Sequence, residues 1–410
     1  MKDKINFAWP VTAISKEDYD VILDCIKNYN KLFNEKKIMI FGAGIRGAIF
    51  SAILESEGFN NIIFTDNNQE KWGGFIDNFP IISVGDALKN YKETIILIST
   101  EEGYSIKEQL EKAGLTEGND FFFLQTNLYE KYISEFKRNA ENEILFMGDC
   151  MFEVISFSDT NKDSLSEIFS KKLGYEKIKS LTMHGMGIRA FYHVLKAQVS
   201  FGMKPDLLVV MINFETLTGK QHLLPRSQHT KLIRHVYDTV KELDDGELAE
   251  YVKITENRFK NIQAEFFTTD KYSSVTATNK TGEISSKASK LFFKLHYMYK
   301  LNPETENVQY LRRIFEYAKS KNIKVIPFVP PVNYELGEEF FGKTFDDAYN
   351  YNLEIVKDLT MTHNNTLLDL SHICTKDFFA DISTPDETTN YEGRLKIADR
   401  IIGEIEMGAT

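Results

Sequence analysis

The chain is poor in the residues that build disulfide frameworks and metal sites. Among 410 residues it has three cysteines, Cys25, Cys150 and Cys374, and eight histidines. The cysteines have neither paired nor metal-ligand spacing, and no two histidines form an HxH or HxxxH pair. A structural metal is therefore not expected, and a reduced, cytoplasmic compartment is the default. A basic excess is also missing: the formal net charge is −11, whereas nucleic acid and anionic membranes select clustered Lys and Arg. No apolar run reaches the length of a membrane span. Residues 1–20 carry neither the apolar core nor the small-residue cleavage site of a secretory signal. What is present is ordinary for a globular chain, 42% hydrophobic and 27% charged, and long enough for two domains that each bury a core.

The first third reads as alternating strands and helices. Apolar residues recur at helical spacing from Lys16 to Glu35, and Lys37 to Phe41 is a short buried strand. That strand runs into Gly42-Ala43-Gly44-Ile45-Arg46-Gly47 and then a helical stretch, so a G-x-G-x-x-G motif stands between a strand and a helix. Small residues there let the backbone turn tightly and approach a pyrophosphate, whose charge favours the helix N-terminus. The same glycines also serve plain helix-on-strand packing. The next strand, Asn61 to Thr65, ends at Asp66, near the distance expected of a ribose-binding acid. Strands at Thr94 to Ser99 and Phe121 to Leu124 bracket a helix from Tyr104 to Ala113, and the alternation predicts a parallel sheet.

Over about residues 36 to 125 the chain resembles the N-terminal Rossmann-like domain of bacterial sugar-modifying proteins, such as sugar O- and N-acetyltransferases. The resemblance rests on the run through Gly42, Gly44, Gly47 and Asp66 and on the segment around Lys71-Trp72-Gly73-Gly74. It implies a UDP- or CMP-linked sugar as ligand before NAD. A nicotinamide oxidoreductase is disfavoured because no Tyr-x-x-x-Lys set follows this domain at the expected sheet position.

Tyr129 to Glu143 reads as a charged helical connector without Gly or Pro. The expected division is a domain over 1–126, a connector over 127–142 and a second domain over 143–410, with a helical insertion at about 217–302. The second domain opens on the strand Ile144 to Gly148, which stops at Gly-Asp and delivers Cys150 to the start of a helix expected to run to about Lys172. Further strands are expected at Lys177 to Thr182, Asp206 to Ile212, Lys324 to Val329 and Thr366 to Leu370, giving a second parallel three-layer sheet. Thr268 to Ser289 is polar and reads as a mobile loop or lid. Ligands in such sheets bind at the carboxyl ends of the strands, where the sequence sets Gly148-Asp149-Cys150, His184-Gly185 and Asn213. A nucleophile with pre-aimed N–H donors is the set that acyl transfer needs.

From about residue 143 to 405 this order resembles the SGNH (GDSL-type) hydrolases. Gly148-Asp149-Cys150 matches the first block, with cysteine in place of serine. Gly185 or Gly187 would be the oxyanion glycine, Asn213 remains from the third block, and Asn390-Tyr391-Glu392-Gly393 matches the end of the last block. Thr388 then stands where that family keeps its histidine. The resemblance implies acyl transfer or ester hydrolysis on a small-molecule sugar or surface-glycan precursor, with no cofactor needed for the chemistry. Two readings stay open. In one, Cys150 attacks, Gly185 and Asn213 hold the oxyanion and His184 relays the proton. In the other the scaffold has lost catalysis and binds or organises its ligand. Arg189 and Arg226 read as anion-holding or ion-paired residues; His222, His229 and His235 read as solvated, His372 as packed or capping, and Asp244-Asp245 as a helix end. Sequence gives no oligomeric state.

Overall fold

The computed structural model describes residues 12–89, 91–100, 103–139, 144–218, 229–266, 286–381 and 387–409. They form two α/β units, one over residues 12–127 and one from residue 128 onward. Each is built on a parallel sheet.

The first unit has strands β1 (Lys37–Phe41), β2 (Ile62–Thr65), β3 (Phe79–Ile82), β4 (Thr94–Ile98) and β5 (Phe121–Phe123) in the order β3-β2-β1-β4-β5. All neighbours in that order run parallel. This is the doubly wound order, in which the direction of strand succession reverses beside β1. The strands are almost wholly apolar, with Lys37, Thr65 and Thr94 at their ends, because both faces are covered. Met39, Phe41, Ile63, Ile96 and Ile98 pack with Ile106 and Leu110 of α3 (Tyr104–Lys112), which follows α1 (Lys16–Asn28) and α2 (Ile45–Ser56) in the chain, while the alternate residues Ile38, Ile40, Phe64, Ile95 and Leu97 are buried on the opposite side. β3 and its antiparallel partner Phe75–Ile76 escape the sequence pattern. Pro80 interrupts the alternation, and it sits before the ladder to β2 begins at Ile81.

In the second unit β6 (Ile144–Gly148), β7 (Ile178–Thr182), β8 (Leu207–Met211), β9 (Lys324–Val329) and β10 (Leu368–Asp369) form an all-parallel sheet in the order β7-β6-β8-β9-β10. Successive residues of β6 alternate between two cores. Leu145 and Met147 face one, with Leu208 and Val210; Phe146 faces the other, with Val209 and Met211. Three layers follow directly, as the sequence predicts. The first core is covered by α4 (Leu128–Lys137), α6 (Ile188–Ser200), α8 (Thr230–Val240), α11 (Glu306–Ser320) and α13 (Lys343–Thr362), the second by α5 (Leu165–Leu173) and α14 (Tyr391–Ala409). The stretch read as a connector contributes α4, which buries Tyr132 and Phe136 in the first of these cores. Shorter or inserted helices are α7 (Phe214–Thr218), α9 (Glu247–Phe266), α10 (Ser286–Phe293) and α12 (Tyr334–Phe341). Of the polar stretch Thr268 to Ser289, residues 268–285 lie outside the described residues, as do His222 and Arg226; Ser286 to Ser289 open α10.

Candidate active site

Chain geometry at the end of β6 fixes where Cys150 stands. A Cβ on Gly148 would lie 2.2 Å from the Phe152 ring, so only glycine lets that ring fold back over the strand end. The Asp149 carboxylate accepts the Met151 N–H at 3.1 Å, and the chain closes into a three-residue 3-10 turn over Cys150–Phe152. The long helix expected after Cys150 is not there: after the turn, helix begins again only at Leu165. Gly148, Asp149 and the burial of Phe152 spend this segment on a tight elbow. A turn of three residues has almost no macrodipole, so no helix N-terminus acts on the Cys150 thiol. Cys150 is half-buried, whereas Cys25 and Cys374 are buried. Burial pushes the thiol of Cys25 up to about 12 and that of Cys374 up to about 11.

Beside the elbow lies a buried polar cluster that sequence reading did not assemble. Asn213, just past β8, donates Nδ2 to Asp149 Oδ2 and to Glu387 Oε1, both at 3.3 Å. Its own Oδ1 accepts the Glu215 N–H at 3.1 Å, which holds the first turn of α7. Glu387 Oε1 also accepts the Tyr297 hydroxyl at 2.8 Å. His296 lies between two carboxylates, its Nε2 3.2 Å from Glu215 Oε2 and its Nδ1 3.7 Å from Glu387 Oε1. Asp149, Asn213, Glu215 and Glu387 are each no more than 6% exposed. Crowding of buried carboxylates has the expected consequence. Desolvation first, and the nearby Glu387 charge second, raise the Asp149 carboxyl from 3.8 to about 7, against the lowering pull of the Met151 and Asn213 hydrogen bonds. Burial, then Glu387, likewise pushes the Tyr297 hydroxyl well above its usual range.

His296 and Tyr297 are consecutive, yet both reach Glu387. They do so from a π-helical turn, Lys294–Met298, which continues α10. The wider turn leaves carbonyls without their α-helical donors, and the fully buried Asn352 of α13 supplies them, giving Nδ2 to Tyr297 O at 2.8 Å and to Tyr299 O at 2.9 Å. Such bulges are frequent at functional sites.

The remaining residues singled out from sequence are placed as follows. His184 and Gly185 form the turn after β7; the His184 side chain is exposed, and its carbonyl meets His229 Nε2 at 2.7 Å. Gly185 has φ +68°, a left-handed conformation that favours glycine. Asn213 joins the cluster described above. Thr388 is buried, with its carbonyl accepting the Ala380 N–H at 2.9 Å, and the residue before it, Glu387, is the one that enters the cluster. His229 is buried rather than solvated, and burial lowers its ring to about 4. Arg189 is also buried, 3.2 Å from Glu306 and against the rings of Tyr251 and Tyr310. His235 and His372 are exposed, the latter beside the Tyr334 ring. Asp244 caps a helix through the N–H groups of Leu248 and Ala249. Among the described residues no group of His, Cys, Asp or Glu is arranged to hold a metal, and no helix is long and apolar enough to cross a membrane.

In the first unit, Gly42 has φ +120°, and a Cβ on Gly47 would come within 2.1 Å of the Gly42 carbonyl oxygen. Both glycines are thus demanded by the turn and by close packing of the helix Ile45–Ser56. Gly44 faces open space. Asp66 is spent on the loop: its Oδ2 accepts the Ala43 N–H at 2.8 Å and pairs with Lys71 Nζ at 2.8 Å, and Lys71 also donates to the Ala43 carbonyl.

The family described as C2185-like, N-terminal, matches residues 34–119. A search of curated proteins finds no match. Among solved structures, an acetylxylan esterase from Geobacillus stearothermophilus is similar at 11% identity, over 65% of this chain and 95% of that one, with a TM-score of 0.32.

Proposed function

We propose that the second unit is an SGNH-like acyl-transfer or ester-hydrolysis domain acting on a sugar or surface-glycan precursor, with Cys150 as nucleophile. The first unit, Rossmann-like in its strand order, binds a UDP- or CMP-linked sugar through the loop of Gly42, Gly44 and Gly47. The observation that carries this reading is the position of Cys150. It is the half-buried one of three thiols, held on a tight elbow at the carboxyl end of a central parallel strand, next to a polar cluster that includes Asn213.

In the proposed reaction His184 takes the thiol proton as Sγ bonds to the acyl carbonyl carbon. The oxyanion is held by the Gly185 N–H and Asn213 Nδ2. Collapse breaks the ester C–O bond, and the departing alcohol takes the proton from His184. Water or a sugar hydroxyl then attacks the thioester by the same steps reversed, which releases the thiol. A second reading, a ligand-binding protein without turnover, draws support from Asn213, whose amide is already given to two carboxylates.

Iodoacetamide labelling separates the two. The enzyme reading expects Cys150 to react far faster than Cys25 or Cys374, and 4-nitrophenyl acetate to leave an acetyl group on Cys150, seen by peptide mass spectrometry. Equal, slow labelling with no adduct overturns the enzyme reading in favour of the binder. Raised thermal stability with UDP- or CMP-sugars but not NAD tests the first unit.

A further inference from the structure

We infer that His296 is the fixed cation of this site, a positioning residue that keeps Glu215 and Glu387 ionised and thereby aims the Asn213 amide. The inference rests on the acyl-transfer reading for what the aimed amide does, and on geometry for everything else. The ring has a carboxylate oxygen at 3.2 Å from one nitrogen and another at 3.7 Å from the other. Only the doubly protonated ring presents an N–H toward both. The groups against it are acidic or neutral: Glu215 on α7, Glu387 before α14 and the ring of Tyr297; Asp149 and Tyr349 in turn feel the Glu387 charge. Burying that many carboxyls without a cation is costly, and the usual escape is to take up protons. With an imidazolium between them, Glu215 and Glu387 stay charged and the proton goes to Asp149. Glu387 then remains an acceptor for both the Tyr297 hydroxyl and Asn213 Nδ2.

Two features support a built arrangement. The π-helical turn lets the neighbours His296 and Tyr297 address one carboxylate oxygen, and the wholly buried Asn352 is committed to holding that turn's carbonyls. His296 also comes from the inserted helical region, while the last block, where the resemblance looks for a histidine, supplies Glu387 instead.

The test uses the full-length protein with the imidazole carbons labelled for NMR. The resonance missing in His296→Gln should show a doubly protonated ring from about pH 6 to about pH 8, the interval in which an unperturbed histidine loses its proton. In Glu215→Gln the same ring should titrate inside that interval. On 4-nitrophenyl acetate, His296→Gln should lower kcat by about tenfold to a hundredfold with KM changed by less than about twofold, less than deletion of an oxyanion donor costs. Removing one acid as well, in His296→Gln with Glu215→Gln, should restore kcat at least partly, because the cation is then no longer needed. A wild-type His296 ring that titrates near 6.5 overturns the inference whatever the activity, as does a double variant no better than the single one. If wild type acylates no cysteine, the acyl-transfer reading falls, and the NMR titration still decides whether His296 is the cation.

Discussion

Asp149→Asn gives the sharpest reading of the buried cluster. A carboxyl raised from 3.8 to about 7 by burial and by Glu387 keeps its proton in the folded protein at pH values where the unfolded chain has lost it. Below about pH 4 both states are protonated, and Asp149 leaves stability independent of pH. As the pH climbs from there, unfolding releases the proton, so stability falls until the folded-state value near 7 is passed. The full shift corresponds to about 4 kcal/mol, of which about 2 to 3 kcal/mol falls between about pH 5 and about pH 8. Asparagine cannot ionise and escapes this loss. It does lose an acceptor for Asn213 Nδ2, a cost of about 1 to 2 kcal/mol that does not vary with pH. Urea unfolding at a series of pH values should therefore show Asp149→Asn gaining on wild type as pH rises, by about 5 °C or more when followed as Tm. A difference that is flat with pH would refute the claim that Asp149 holds the cluster's proton.

Acid should act on other groups. Burial lowers His193 to about 3 and His229 to about 4, so each supports stability in full above about 6.5 and withdraws it as the pH falls, about 2 kcal/mol apiece by about pH 4.5; His193→Phe, which keeps the ring stacked on Tyr251, should flatten that part of the stability curve. Gly148→Ala drives a methyl into Phe152 and should cost about 2 kcal/mol or more in urea unfolding while slowing alkylation of Cys150. Arg394→Met takes from Asp159, whose side chain is buried, its partner at 2.7 Å and leaves it the Tyr391 N–H and the Lys162 charge, with an expected loss of about 3 kcal/mol; a loss near zero would show that Lys162 and solvent replace Arg394.

The sheets were legible because most of their strands are covered on both faces and so read as largely apolar runs; β6, β8 and β9 lie where the runs put them, and β7, Ile178-Lys179-Ser180-Leu181-Thr182, lies where expected despite its polar residues. Long amphipathic helices such as α11 and α13 followed from their apolar residues recurring at helical spacing. Two kinds of feature were not legible. Phe75–Ile76 and β3 are short and interrupted by Pro80, so no periodicity survives in them. The elbow after Cys150 depends on one contact, Phe152 over Gly148, that composition does not announce. Cys150, Gly185 and Asn213 are legible in the sequence as residues at or just past strand ends. Glu215, two residues beyond Asn213, and Glu387, just before Asn390-Tyr391-Glu392-Gly393, carry the same positional signal, and at the last block the family pattern points to position 388 rather than 387. His296 carried none: it sits in an aromatic helical run, and only the π-helical turn brings it to Glu387.

The two strand-end loops share one device and differ in charge. In each, an aspartate just past a strand caps a loop N–H, Asp66 on Ala43 and Asp149 on Met151. Around Asp66 the other charged partner is a cation, Lys71. Asp149 instead faces Glu387 and Glu215. A diphosphate approaching the first loop meets an ammonium that can exchange Asp66 for a phosphate oxygen, and an N–H that Asp66 gives up in the same step. The same diphosphate at the second loop meets buried carboxylates and pays for it in repulsion. On the proposed function the electrostatics therefore favour nucleotide phosphates at the first loop and an uncharged acyl ester or sugar hydroxyl at the second.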